Sequence, residues 1–150
     1  MKNDVFNECE EVIYRIAETQ GEIYQLAYER GYDMEDFSNK YLRSDFCMLE
    51  MDALYSRFQT EFGDACMDEL TAEFERKEIM VKKNANNHLP YSPTWIGKMY
   101  RYLFYALHTY SAKLAEKISV AELAAYEAEL EDCDTKESIE LLTQKFSGYF

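Results

Sequence analysis

Residues 92–108 read Ser92-Pro93-Thr94-Trp95-Ile96-Gly97-Lys98-Met99-Tyr100-Arg101-Tyr102-Leu103-Phe104-Tyr105-Ala106-Leu107-His108. They hold the only tryptophan of the 150-residue chain and its densest run of aromatic side chains. Ser92 can cap a helix whose first turn accommodates Pro93, because a proline there lacks an N–H that would be unpaired anyway. At about 100° per residue, Trp95, Ile96, Met99, Leu103 and Ala106 share one face. Gly97, Lys98, Arg101, Tyr105 and His108 share the opposite one. The pattern predicts a central helix with Trp95, Met99 and Leu103 in the core. Lys98, Arg101, Tyr105 and His108 become the candidate partner-contact face, since Arg and Tyr are favoured at interface hot spots. Gly97 costs about 1 kcal/mol against Ala inside a helix, a cost that close packing against a neighbour would explain.

Helical periodicity extends in both directions. Towards the N-terminus, Phe6, Cys9, Ile13, Ile16 and Ala17 recur at spacings of three and four, predicting a helix over 4–20 capped by Asn3 or Asp4. Gly21 reads as its end, and a short helix over 22–30 stops at Gly31. Asp33 opens a helix bearing Met34, Phe37, Tyr41 and Leu42, with Asp36 as the second half of a weak capping box. Segment 44–52 restarts the pattern, and helices are expected over 53–62 and 64–78. Residues 80–92 form the longest polar break, a loop that marks a potential boundary between subregions 1–79 and 91–150. Beyond the central stretch, helices are expected over 112–118, from the Ser119–Glu122 capping box to about 130, and over 135–146 with Ile139, Leu142 and Phe146 inward. With five glycines and two prolines, and no sustained alternation, there is little to build a sheet from. The expectation is an all-α single domain, an orthogonal bundle of seven to nine mostly short helices.

Charge narrows the function classes. The formal net charge is −13, which disfavours nucleic acid and anionic membrane surfaces and suits a basic protein partner. The charge is segregated: residues 1–75 carry 19 acidic against six basic side chains, 76–115 are net +6, and 116–150 are net −6. The basic middle segment is either neutralised by acidic helices around it or exposed as a contact strip. Ala17, Gly21 and Ala27 have helix-turn-helix spacing. The second helix of such a hairpin would offer Glu22, Gln25, Glu29 and Arg30, a poor set for phosphates. DNA binding by that hairpin or by the basic segment is the alternative function.

Chemical motifs are sparse. The glycines stand singly, so no phosphate loop is read. His88 and His108 are 20 apart and have no neighbouring ligands, so no metal is expected. No cofactor is expected either. Asp45 and Asp52, seven apart, read as solvated carboxylates. An enzyme would have to be assembled in space from Arg101, Tyr105, His108 and a carboxylate. Four scattered cysteines without a C-x-x-C pair read as buried free thiols in a reduced compartment. The N-terminus lacks an apolar signal-peptide core, and a cytoplasmic protein is expected.

Two segments carry a resemblance. Ser44-Asp45…Met51-Asp52-x-x-Tyr55-Ser56-Arg57 and Trp95-x-Gly97-x-x-Tyr100-Arg101-Tyr102 resemble a family of small, uncharacterised helical proteins of Firmicutes bacteria, over roughly residues 35–145. In the tail, Glu131-Asp132-Cys133-Asp134 stands where the family has a His-Thr pair. The resemblance implies an all-helical, non-enzymatic protein whose relatives are often encoded near toxin–antitoxin-like genes. A non-enzymatic protein-interaction module, an antitoxin-like partner of a toxin, is the reading it adds.

Overall fold

In the computed structural model, which describes residues 10–84 and 89–150, the chain forms α1 (Glu10–Glu29), α2 (Met34–Leu42), a π-helical turn (Cys47–Met51) and a 3-10 turn (Arg57–Thr60). It continues with α3 (Gly63–Arg76), α4 (Pro93–Ala106), α5 (Ser111–Lys117), α6 (Val120–Ala124), α7 (Thr135–Phe146) and a last 3-10 turn (Ser147–Tyr149). No strand occurs among the described residues, and the all-α, multi-helix expectation is met. One isolated antiparallel bridge joins Tyr32 to Lys83. The cap expected at Asn3 or Asp4, together with Phe6, Cys9 and His88, lies outside the described residues.

Local signals in the sequence explain most helix ends. Ser92 accepts a hydrogen bond from the Trp95 N–H at the start of α4, with Pro93 in the first turn. Ser119 and Glu122 form the expected reciprocal capping box on α6, and Asp33 caps α2 through the Asp36 N–H. Gly31, at φ 81°, ends α1 in the left-handed conformation that glycine adopts without penalty. The Gly31 N–H reaches the Tyr28 carbonyl and the Tyr32 N–H reaches that of Ala27, which closes the last turn. α4 ends the same way with a side chain in glycine's place. His108 sits at φ 51°, its N–H on Tyr105 and that of Thr109 on Phe104.

Gly21 does not end the first helix. α1 runs unbroken through it, so the expected hairpin of helices over 4–20 and 22–30 is not formed. The glycine signal was outweighed by packing. A β-carbon on Gly21 would lie 2.9 Å from Lys98 Cγ and 3.0 Å from the Thr94 carbonyl oxygen, both on α4. Gly97 answers it from the other side: its β-carbon would lie 2.7 Å from the Gln20 carbonyl oxygen and 2.9 Å from the Tyr24 ring. Two glycines in adjoining positions let α1 and α4 cross almost backbone to backbone. These two helices form the largest inter-helix contact of the fold and bring residues from both sides of the 80–92 loop into one core.

Around that crossing the core is aromatic. Tyr24 is fully buried, meets Phe37 and Tyr41 edge-on, and shares its hydroxyl with Ser38 at 2.6 Å. Tyr100 donates to the Ile118 carbonyl at 2.7 Å. Each buried hydroxyl thus has a partner, which burial of a phenol requires.

Many of the acidic side chains are structural. Glu22 accepts from the Gly63 N–H at 2.7 Å and caps α3, whose own N-cap residue, Phe62, has no acceptor. Glu35 accepts from Val120 and Ala121 at the start of α6. Glu73, buried on α3, accepts from the Asp45 and Phe46 N–H groups at 2.8 and 2.7 Å and pairs with Lys77. Carboxylates from one helix therefore satisfy the orphan N–H groups at the start of another, where the helix dipole also favours negative charge.

Two further expectations are corrected. The helix over 53–62 is replaced by bends and the short 3-10 turn over 57–60. Gln59 prevents a helix there by donating to the Met51 and Ala53 carbonyls at 3.2 and 2.7 Å, which folds the chain back on itself. The helix expected from 119 to 130 ends at Ala124 and continues as turns.

Candidate interaction surface and the polar cluster beneath it

α4 does not divide into an inner and an outer face. Met99 and Leu103 are buried as expected, but Trp95 is only half-buried and packs against the core from its margin. Gly97 and Arg101, expected to face outward, are buried too. The cause is the geometry of the crossing: α1 covers the side of α4 on which Gly97 lies.

Arg101 is therefore not a contact residue. Its side chain is 0% exposed and every nitrogen is engaged. Nε and one terminal nitrogen donate to Gln20 Oε1 at 3.1 and 2.7 Å. The other terminal nitrogen donates to the Met51 carbonyl at 3.2 Å and to Asp52 Oδ1 at 2.8 Å. A further bond reaches Ser111 Oγ at 3.2 Å. Phe104 lies beneath the guanidinium, 4.6 Å from ring centroid to its central carbon. A planar fork of donors that cannot be deprotonated suits such a position; lysine would supply one point charge.

The acceptors around Arg101 are themselves fixed. Gln20 donates to the Gly97 carbonyl at 2.7 Å and accepts from the Tyr41 hydroxyl at 2.7 Å. Asp52 also accepts from the Ser111 N–H at 2.9 Å and from the Ser111 hydroxyl at 2.5 Å. Asp52 is thus a largely buried ion-pair partner, which corrects its reading as a solvated carboxylate. Cys47 lies beside the guanidinium with its thiol pushed up to about 11 by burial. It is a neutral group in this cluster, and a thiolate nucleophile is not available there at ordinary pH. No buried side-chain nitrogen or oxygen among the described residues is left without a partner.

The other expected contact residues are scattered. His108 is exposed at the α4 terminus, where its left-handed backbone ends the helix. Tyr105 is half-buried and meets Phe104 edge-on at 4.9 Å. Lys98 is half-buried at the other end of α4. The buried charge of Arg101 separates them, so they do not form one strip. The basic middle segment is neutralised in part from within: Arg101 by Asp52, and Lys77 by Asp45 and Glu73 at 2.6 and 2.9 Å.

What sequence reasoning missed lies directly over Arg101. The chain from Cys47 to Ser56 displays Met48, Leu49, Leu54 and Tyr55 to solvent, with Leu54 104% and Tyr55 88% exposed. Tyr110, 73% exposed, flanks the residue that binds Asp52. Irregular backbone with large apolar side chains turned outward is not what a folding core demands. Yet this loop is tied down from beneath. Arg101 holds the Met51 carbonyl and the Asp52 carboxylate, Gln59 holds the Met51 and Ala53 carbonyls, and Glu50 accepts from the Ser56 hydroxyl at 2.6 Å. Glu73 anchors its N-terminal end. The one available signal was Leu54-Tyr55 in a short stretch between Asp52 and Arg57, and that fits an amphipathic helix equally well.

Among the described residues no cluster of His, Cys, Asp and Glu could hold a metal ion, and no helix is long and apolar enough to cross a membrane. Comparisons with protein-family models, curated proteins and solved structures found no match.

Proposed function

We propose that this chain is a non-enzymatic protein-interaction module that presents loop 47–56 to a basic, amphipathic segment of a partner protein. The observation that carries the reading is the pairing of exposure with anchorage. Met48, Leu49, Leu54 and Tyr55 are exposed, while the backbone that bears them is fixed by the Arg101–Asp52 ion pair and by Gln59. Preorganising a contact surface lowers the ordering cost of binding. Aromatic and methionine side chains are enriched in interface cores, and a net charge of −13 steers a basic partner towards the chain. An antitoxin-like role, with a basic toxin as the partner, is the finer form of this proposal. It draws only on the family resemblance noted above.

A lysine- and leucine-rich amphipathic helical peptide is a suitable probe. The Leu54→Ser/Tyr55→Ser double variant should weaken its binding by roughly tenfold or more, as expected for loss of apolar hot-spot contacts. Thermal stability should stay within about 0.5 kcal/mol of wild type, because both side chains are exposed. Isothermal titration beside thermal melts checks both. Unchanged affinity in the folded double variant would exclude this loop as the docking surface.

A further inference from the structure

A second feature lies at the opposite end of α4, away from loop 47–56. A cavity of about 500 Å³ opens between the start of α4, the turns that follow α6 and the first turn of α7. That is the size of pockets that hold small organic molecules. Trp95 forms one wall, and the buried side chains of Met99 and Leu130 form apolar parts of its lining.

Two of its charged groups are unspent. Lys98 lines the cavity and makes no ion pair or side-chain hydrogen bond among the described residues. Glu131, an exposed residue, lines it too, and no ion pair joins it to Lys98 or to any other described residue. Glu127, by contrast, is held by the Ser92 N–H at 2.9 Å. Ser138, 4% exposed, also lines the cavity and brings a hydroxyl to its wall.

We propose that this cavity binds a small zwitterion with an aromatic side group, of the chemical class of an aromatic α-amino acid. Its carboxylate meets Lys98, its ammonium meets Glu131 with Ser138 as a further acceptor, and its ring packs on Trp95. A purely anionic ligand would face Glu127 and Glu131, and a purely cationic one would face Lys98. Only a molecule with both charges suits both walls. The site is independent of the docking loop, and either proposal can fail alone.

Trp95 is the chain's single tryptophan, so tryptophan fluorescence comes from a residue in the wall of this cavity. Titration with L-phenylalanine, excited where only tryptophan absorbs, should give a saturable change with a Kd in the millimolar range or below. N-acetyl-L-phenylalanine, which lacks the ammonium, and phenethylamine, which lacks the carboxylate, should each bind roughly tenfold more weakly, the loss of one charge-assisted contact. Lys98→Gln should remove the preference for L-phenylalanine over phenethylamine, and Glu131→Gln its preference over the N-acetyl compound. No saturable change up to about 10 mM, well above a millimolar Kd, would overturn the proposal. So would equal binding of all three probes, which would mark a nonspecific apolar contact.

Discussion

Arg101→Met should lower stability by about 3–5 kcal/mol, the cost of breaking a buried ion pair by removing one member. For a chain of this length that is a fall in Tm of roughly 6–20 °C, a large part of the usual 5–15 kcal/mol of total stability. Methionine fills much of the volume, so the loss is electrostatic and not a cavity effect. It leaves the largely buried Asp52 carboxylate with no cation beside it, held by Ser111, and removes one donor each from the Met51 carbonyl and Gln20 Oε1. Arg101→Lys should restore only part of the loss, because one ammonium cannot reach Gln20, Met51 and Asp52 together. Adding Asp52→Ala to Arg101→Met should cost less than the sum of the single changes, since the second removes the orphaned charge. Denaturant unfolding of the four proteins checks this. Full additivity would show that Arg101 and Asp52 are not coupled.

Gly97→Ala carries the second-largest expected effect. In an ordinary helix interior this change stabilises by about 1 kcal/mol. Here the added β-carbon would stand 2.7 Å from the Gln20 carbonyl oxygen, which is backbone and cannot turn aside. α1 and α4 must move apart, and the 2.7 Å bond from Gln20 Nε2 to the Gly97 carbonyl stretches with them. Overpacking of this kind costs about 1–3 kcal/mol, so a net loss of about 2 kcal/mol is expected in place of the usual gain. Gly148→Ala is the control: no atom lies within 4 Å of its β-carbon position, and its unfolding midpoint should not move. A stabilised Gly97→Ala protein would mean that the two helices do not cross at this distance.

These two residues also show how far the sequence could be read. The cap at Ser92, Pro93 in the first turn, the Ser119–Glu122 box and the stop at Gly31 are local signals, complete within a few residues, and the structure follows them. Gly97 was legible as a close approach because a helix-interior glycine has a cost that packing must offset. Gly21 carried the same meaning but was read as a helix break. Its partners, Thr94 and Lys98, lie more than 70 positions away, and nothing in the local pattern marks them. Arg101 was misplaced for the same reason. A charged residue on a helix wheel is assigned to water unless its counter-ion is known, and Asp52 is 49 positions distant. The docking loop was hidden in a different way. Tyr55 and Phe58 have the three-residue spacing of a buried helix face, and Gln59 turning back onto Met51 and Ala53 goes with an exposed bend at Leu54 and Tyr55 instead. The acidic excess is legible in sequence only as net charge, yet Glu22, Glu35 and Glu73 each cap an N-terminal segment contributed by another part of the chain.

The central claim is that the Arg101–Asp52 pair holds loop 47–56 as a fixed, outward-facing apolar surface. Amide hydrogen exchange of that loop, in wild type and in Asp52→Asn, addresses it most directly. The wild-type Asp45, Phe46, Cys47 and Asp52 amides, bonded to Glu73, Ser44 and the Cys47 carbonyl, should be protected nearly to the level of α4. In the variant, protection should fall locally by roughly tenfold or more, about 1.4 kcal/mol of local opening, while α7 is unchanged. Exchange of the wild-type loop as fast as that of the variant would contradict the claim, because a loop that is already open is not held by the charge beneath it.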